Sequence, residues 1–93
     1  NDGTVIRLSI PPLTEERRKE LVKTVQRLGE TAKISARNSR RDANAMLKAL
    51  QKDGELTEDE LKKSLDKVQG LTDGATETID GIVGRKQDEL MEV

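Results

Sequence analysis

The stretch that decides the fold reads Arg37-Asn-Ser-Arg-Arg-Asp-Ala-Asn44 and lies near the middle of a 93-residue chain. Successive residues of an α-helix are rotated by about 100°, so five polar side chains here share one band roughly 100° wide. They are Lys33, Arg37, Arg40, Arg41 and Asn44. A strip with the spacing of a buried helix face runs beside them through Ala32, Ser35, Ala36, Ser39, Ala43, Met46, Leu47 and Leu50. The pattern predicts a helix that packs on one side and presents guanidinium groups on the other.

The same spacing continues in both directions and predicts two long helices. Thr14 is a candidate N-cap of the first helix, which we expect to end near Lys52 with Gly54 as its breaker. Thr57 and Glu60 match the capping box of a second helix. Its apolar line runs through Leu61, Leu65, Val68, Thr72, Ala75, Ile79 and Ile82. The short connection predicts an antiparallel hairpin, and strips this long need at least a third helix, from outside residues 1–93, to enclose a core.

The residues before Thr14 have a different pattern. Apolar residues at positions 6, 8 and 10 alternate with polar ones, which predicts one short β-strand that the following prolines end. We interpret four residues as a short, stiff hinge, namely Ile10, Pro11, Pro12 and Leu13. Because one strand has no ladder partner here, we expect the rest of its sheet to come from sequence that precedes Asn1.

Composition excludes several classes of function. The chain has no Cys, no His and no aromatic residue. Most metal sites, thiol chemistry and the stacking of unpaired bases therefore lack the side chains they need. We expect no enzyme, no cofactor and no metal site, and a small hydrolase is the weakest alternative because no nucleophile is paired with a base. No apolar run approaches the roughly 20 residues of a membrane span.

Charge is separated along the chain although the formal net charge is only -1. Residues 17–52 carry eleven Lys and Arg against three Asp and Glu, whereas residues 53–93 carry five against twelve. The basic segment predicts a polyanion partner, a folded RNA or a duplex bound by charge and shape. The alternative is a solvated face tied to the acidic second helix by surface ion pairs, each worth about 0 to 1 kcal/mol.

Several motifs occur in an order that resembles the bacterial and organellar ribosome recycling factor family. They are Ile10-Pro-Pro-Leu-Thr-Glu-Glu-Arg-Arg-Lys-Glu-Leu21, Ala36-Arg-Asn-Ser-Arg-Arg-Asp-Ala-Asn44, Leu56-Thr-Glu-Asp-Glu-Leu61, Leu71-Thr-Asp73 and Lys86-Gln-Asp-Glu-Leu-Met91. The resemblance covers essentially the whole chain. It implies that residues 1–10 are the last strand of a mostly missing small β domain, 11–13 the hinge, and 14–93 a helical bundle without its first helix. The implied fold class is mainly α: a long antiparallel hairpin, two helices of a three-helix bundle, after one short β-strand and a Pro-Pro hinge.

The resemblance also implies a function and its partners. Members of this family bind the large ribosomal subunit after termination and, with elongation factor G, split the ribosome so that mRNA and tRNA leave. They have no active site of their own. The resemblance assigns contacts with large-subunit RNA to Arg37, Arg40 and Arg41, with Arg40 the strongest candidate, and it makes residues 10–13 the hinge. We predict that Lys33 and Asn44, which share the band of these arginines, also bind this RNA. The missing N-terminal helix and β domain of the same protein are further partners, and the implied location is the bacterial cytoplasm or the interior of a chloroplast or mitochondrion.

The chain departs from the family pattern in two places. Ser39 stands where the family usually has Ile or Val, which softens packing under the arginines. Four glycines stand where Lys, Glu or Ala is common, so these positions add no basic side chain for RNA: Gly70, Gly74, Gly81 and Gly84. The alternative function is a helical hairpin that joins a protein–protein bundle through its open apolar strips and does not bind RNA.

Overall fold

The computed structural model describes residues 14–92, which form two helices. Helix α1 spans Glu15–Lys52 and helix α2 spans Glu58–Met91, with 38 and 34 residues. Both predicted helices are therefore confirmed. The predicted strand and the Pro-Pro hinge lie outside the described residues. Neither α1 nor α2 contains an apolar stretch long enough to cross a membrane.

Helix α1 begins and ends at the residues that its sequence signals indicate. The Thr14 hydroxyl oxygen accepts a hydrogen bond from the backbone N–H of Arg17 at 3.0 Å, as an N-cap does. At the other end Gly54 has a φ of 85°, a left-handed conformation that glycine adopts without steric penalty. The N–H of Gly54 bonds to the carbonyl of Gln51, and the N–H of Glu55 bonds to that of Leu50. These two bonds form a Schellman motif, which satisfies carbonyls at the helix end.

A reciprocal capping box starts α2 directly after this turn. The Thr57 hydroxyl accepts from the Glu60 N–H at 3.0 Å, and the Glu60 carboxylate accepts from the Thr57 N–H at 2.9 Å. Because only residues 53–57 separate the helices, α2 returns alongside α1. Lys33 accordingly contacts Asp80, and Arg18 contacts Glu92. The antiparallel hairpin is thus confirmed.

The helices are in close contact at Gly29. Gly29 and Thr72 are the two buried residues in the described part of the chain. A Cβ atom added to Gly29 would lie 2.5 Å from the Cγ2 atom of Val83, too close for two carbon atoms. The hydroxyl of Thr72 donates to the Val68 carbonyl at 2.9 Å, which satisfies it inside its own helix. Gly29 is therefore a contact point of the hairpin as well as a residue of low helix propensity.

One side of the hairpin is an open apolar groove. No apolar side chain in residues 14–92 is buried, and Leu28, Met46 and Leu71 are 60%, 67% and 68% exposed. One stretch of the groove has a volume of about 390 Å³ and is lined by Val25, Leu28, Gly29, Ala32, Ile79, Ile82, Val83 and Lys86. The next stretch, of about 310 Å³, is lined by Ala36, Ser39, Arg40, Ala43, Val68, Leu71, Thr72 and Ala75. Two helices alone leave the core open, as the apolar strips predict.

Arg18 joins the start of α1 to the end of α2. Its Nη1 atom donates to the carbonyl oxygen of Glu92 at 2.9 Å and to that of Met91 at 3.4 Å. The last turn of α2 has no basic residue of its own, although a cation is favourable at this negative end of the helix dipole. Arg18 supplies that cation from the other helix.

We expect Arg18→Met, which keeps an apolar stem, to loosen the last turn of α2. Losing a charge-assisted hydrogen bond and a helix-end cation should cost about 1 kcal/mol locally, or roughly a fivefold faster opening of the turn. Amide hydrogen exchange of residues 88–92 measures this opening. Arg17→Met is the matched control, because within residues 14–92 the Arg17 side chain forms only an exposed ion pair with Glu20 of its own helix. Equal exchange rates in the two variants would contradict the prediction.

Candidate nucleic-acid interface

The candidate interface is a set of polar side chains on α1, which we call the basic face. It comprises Lys33, Arg37, Arg40, Arg41 and Asn44. The helix is continuous from Glu15 to Lys52, so their backbone positions are fixed relative to one another. Small residues at 32, 36, 39 and 43 form the adjoining groove wall. Arg40 lies at the border, because it also lines the groove.

Lys33 is the member of the basic face that acidic groups surround. Its Nζ atom lies 2.9 Å from Oδ1 of Asp80 on α2 and 3.1 Å from Oε2 of Glu30 on its own helix. These hydrogen bonds, above all the one to Asp80, raise the pKa of Lys33 above the ordinary lysine value. Only 20% of the side chain is exposed. Lys33 therefore connects the two helices, and its charge is already compensated within the protein.

Arg40 has a neutral partner instead. It is half-buried, and its Nη1 atom donates to Oε1 of Gln69 at 3.5 Å, the outer limit of a hydrogen bond. Gln69 in turn donates from Nε2 to Oδ1 of Asp73 at 2.9 Å. The amide of Gln69 is thereby oriented with its oxygen towards the guanidinium group. Arg40 keeps its full positive charge, because an amide oxygen does not neutralise it.

The remaining members of the basic face differ in exposure. Arg37 and Arg41 are exposed and form no ion pair within residues 14–92. Asn44 is half-buried, and its Oδ1 atom is enclosed and has no hydrogen-bond partner in that part of the chain. The structure thus brings three uncompensated guanidinium groups to one side of α1. Lys33 and Asn44 share their band but are turned towards protein atoms.

Sequence reasoning missed the residues of α2 that contact this face. The Asp80 side chain is 62% exposed, yet it forms an ion pair across the hairpin. An ion pair to the acidic second helix, of the kind that the solvated-face alternative predicts, is therefore present at Lys33. Gln69 and Asp73 carried no functional signal in the sequence. Their positions follow only from the antiparallel register, which sets each residue of α1 against one at a similar distance beyond the turn.

The chain is similar in sequence to known proteins of one family. Residues 1–91 match the family model described as "Ribosome recycling factor". The chain is 59% identical over 93 residues to the ribosome-recycling factor of Geobacillus sp. (strain WCH70), a match that covers 100% of this chain and 50% of that protein. With the same coverage, it is 58% identical to the ribosome-recycling factor of Bacillus licheniformis and 55% identical to that of Clostridioides difficile (strain 630). The chain spans about half the length of the curated relatives it matches.

Proposed function

Because the chain belongs to the ribosome recycling factor family, we propose that its basic face binds RNA of the large ribosomal subunit after termination. The observation that carries the proposal is the set of three arginines, Arg37, Arg40 and Arg41, on one side of a 38-residue helix. None of them pairs with an acid among the described residues. A guanidinium group presents a planar fork of donors that matches phosphate oxygens, so arginine suits this contact better than lysine.

The chemistry of the face favours a folded RNA backbone over a single strand. Proteins that bind unpaired bases stack them on aromatic rings, and the chain has no aromatic residue. Double-stranded RNA is recognised mainly through its phosphates, its 2′-hydroxyls and its shape. A long helix with arginines at fixed intervals can match phosphates at fixed intervals. The proposed partner is therefore structured ribosomal RNA.

The proposed action is mechanical. The protein works with elongation factor G to separate the subunits of the post-termination ribosome, so that mRNA and tRNA are released. It needs no catalytic group of its own, since two long paired helices can transmit force as a wedge. Residues 10–13 form the hinge about which the helical domain turns. The site of action is the bacterial cytoplasm, in keeping with the bacterial source of the relatives.

The open groove fits a third helix from the same protein. Residues 1–10 belong to a small β domain in this proposal, and the first helix of the bundle precedes them. Two observations support it: the groove is apolar along both helices, and the relatives are about twice as long as this chain. A helix that covered Leu28, Leu71 and Ile82 would remove large apolar surfaces from water, at roughly 25 cal/mol per Å². This explains the groove without a separate protein–protein partner.

Arginine substitutions test the proposal directly. We expect Arg40→Ala and Arg37→Ala each to weaken binding to purified large subunits by about 1 to 3 kcal/mol, or roughly 5- to 150-fold, since each loses a charge-assisted contact. The salt dependence of binding should become shallower, because fewer counterions are released. Binding is measured by sedimentation with subunits at several salt concentrations.

Arg27→Ala is the matched control for these variants. Arg27 is an exposed arginine on the same helix but outside the band that defines the basic face. Its removal should leave the salt dependence of subunit binding unchanged. If Arg37→Ala and Arg40→Ala both bind as tightly as the parent, the basic face is only a solvated surface.

A further inference from the structure

The basic face is not uniform, because α2 places different side chains opposite its members. At Lys33, one ammonium group lies between the carboxylates of Asp80 and Glu30, at 2.9 and 3.1 Å. Two negative charges around one positive charge leave this corner of the protein net negative. A phosphate group that approaches Lys33 therefore meets two groups of its own sign, and at 20% exposure the lysine offers it little surface.

The situation at Arg40, two turns further along α1, is the reverse. Its hydrogen-bond partner on α2 is the amide of Gln69, which Asp73 orients through a 2.9 Å hydrogen bond. Asp73 is one helical turn beyond Gln69 and has its carboxylate engaged by that amide. The guanidinium group of Arg40 thus faces a neutral oxygen. Its charge remains available to an external anion.

We propose that the α2 residues opposite Lys33 and Arg40 decide whether these two side chains bind RNA. Asp80, together with Glu30 of α1, withdraws Lys33 from the RNA, and Gln69 leaves Arg40 free to bind it. Asp80 and Gln69 are thus specificity-determining residues that never touch the RNA. The inference rests on the proposed function, because it assumes that the basic face binds RNA.

Compensating the charge of Lys33 within the protein changes how selectively the basic face binds RNA. Each phosphate contact steepens the salt dependence and raises affinity for any polyanion, whatever its shape. A carboxylate that cancels Lys33 lowers this unspecific affinity and leaves the contacts of the spaced arginines. Such a repulsive element discriminates against wrong partners more than it weakens the right one.

The first test replaces the ion pair without changing net charge, with Lys33→Gln/Asp80→Asn in the longest natural chain that contains these residues. The slope of log affinity against log salt is measured for large ribosomal subunits and for an RNA duplex of unrelated sequence. We expect both slopes to match the parent and both affinities to stay within about twofold, since the pair contributes no phosphate contact. Arg40→Ala in the same assays should make the subunit slope shallower by roughly 0.7 to 0.9.

The second test removes the acids beside Lys33 and adds one opposite Arg40. Glu30→Gln/Asp80→Asn should release Lys33 for one new phosphate contact, which steepens the duplex slope by roughly 0.7 to 0.9 and tightens duplex binding about three- to tenfold at low salt. Gln69→Glu should pair Arg40 with a carboxylate and make the subunit slope shallower by a similar amount. Glu77→Gln/Asp88→Asn is the matched control, because it removes two exposed acids of α2 that pair with no cation in residues 14–92.

The possible results separate this inference from the function on which it rests. If Lys33→Gln/Asp80→Asn lowers the subunit slope as much as Arg40→Ala does, Lys33 binds phosphate and the inference is wrong. It is equally wrong if Glu30→Gln/Asp80→Asn behaves like Glu77→Gln/Asp88→Asn. Unchanged binding by Arg37→Ala and Arg40→Ala would instead overturn the proposed function. Circular dichroism at 222 nm confirms that each variant keeps its helices, and Glu30→Gln/Asp80→Asn decides the matter by itself if Lys33→Gln/Asp80→Asn does not fold.

Discussion

Replacing Gly70, Gly74, Gly81 and Gly84 together by alanine is expected to raise the free energy of unfolding by about 2 to 4 kcal/mol. All four lie inside the continuous helix α2. A Cβ atom added at any of them has no other atom within 4 Å, so alanine fits without a clash. Each substitution removes backbone freedom from the unfolded chain, which is worth about 0.5 to 1 kcal/mol per site.

Thermal unfolding followed by circular dichroism measures this gain. For a protein of the length of the curated relatives, about twice 93 residues, the midpoint should rise by roughly 5 to 15 °C. Gly54→Ala is the control with the opposite sign, because the φ of 85° at Gly54 strains any residue with a Cβ atom. Loss of stability in the fourfold variant would show that another part of the protein packs closely against this face of α2.

Gly29→Val is expected to lower the free energy of unfolding by about 2 to 3 kcal/mol, the upper range for overpacking. The new Cβ atom would lie 2.5 Å from Cγ2 of Val83, and Ile79 is also in contact at 3.8 Å. The helices must then separate at this contact. Chemical denaturation gives the change in free energy, provided that the m-value stays constant.

A second substitution identifies the cause of this loss. Val83→Ala removes the clashing methyl group and leaves a Cβ atom 3.8 Å from the one added at position 29. The double variant Gly29→Val/Val83→Ala should therefore lose about 1 to 2 kcal/mol less free energy of unfolding than the two single variants lose together, as expected of residues in contact. Gly70→Val, on the open face of α2, should cost no stability. Additive effects in the pair would contradict a direct contact.

The secondary structure was predictable because its signals are local. A threonine N-cap needs only an N–H three residues away, and the capping box of Thr57 and Glu60 is complete within four residues. The end of α1 follows from Gly54, since no other residue adopts its backbone conformation as readily. The open groove was predictable from the length of the apolar strips. All of these depend on residues close together in sequence or on simple periodicity.

The composition of the candidate site was less predictable because it depends on register. Asp80 is 47 residues from Lys33, and no local pattern relates them. The position of the turn at residues 53–57 relates them, however. Lys33 lies 20 residues before the turn and Asp80 lies 23 residues after it, so antiparallel helices place the two at a similar distance from the turn. The role of Gly29 was hidden for a different reason. Helix propensity describes glycine as a weak point, and only the neighbouring helix shows that a side chain would not fit there.

Side-by-side packing of a cationic and an anionic helix turns the hairpin into an electric dipole directed across its short axis. Eleven basic residues lie within 17–52 and twelve acidic residues within 53–93. Near a polyanion, such a dipole experiences a torque that turns α1 towards the polyanion and α2 away from it before the surfaces touch. The protein is then oriented before it contacts the polyanion. Raising the ionic strength should therefore lower the association rate by a larger factor than it raises the dissociation rate.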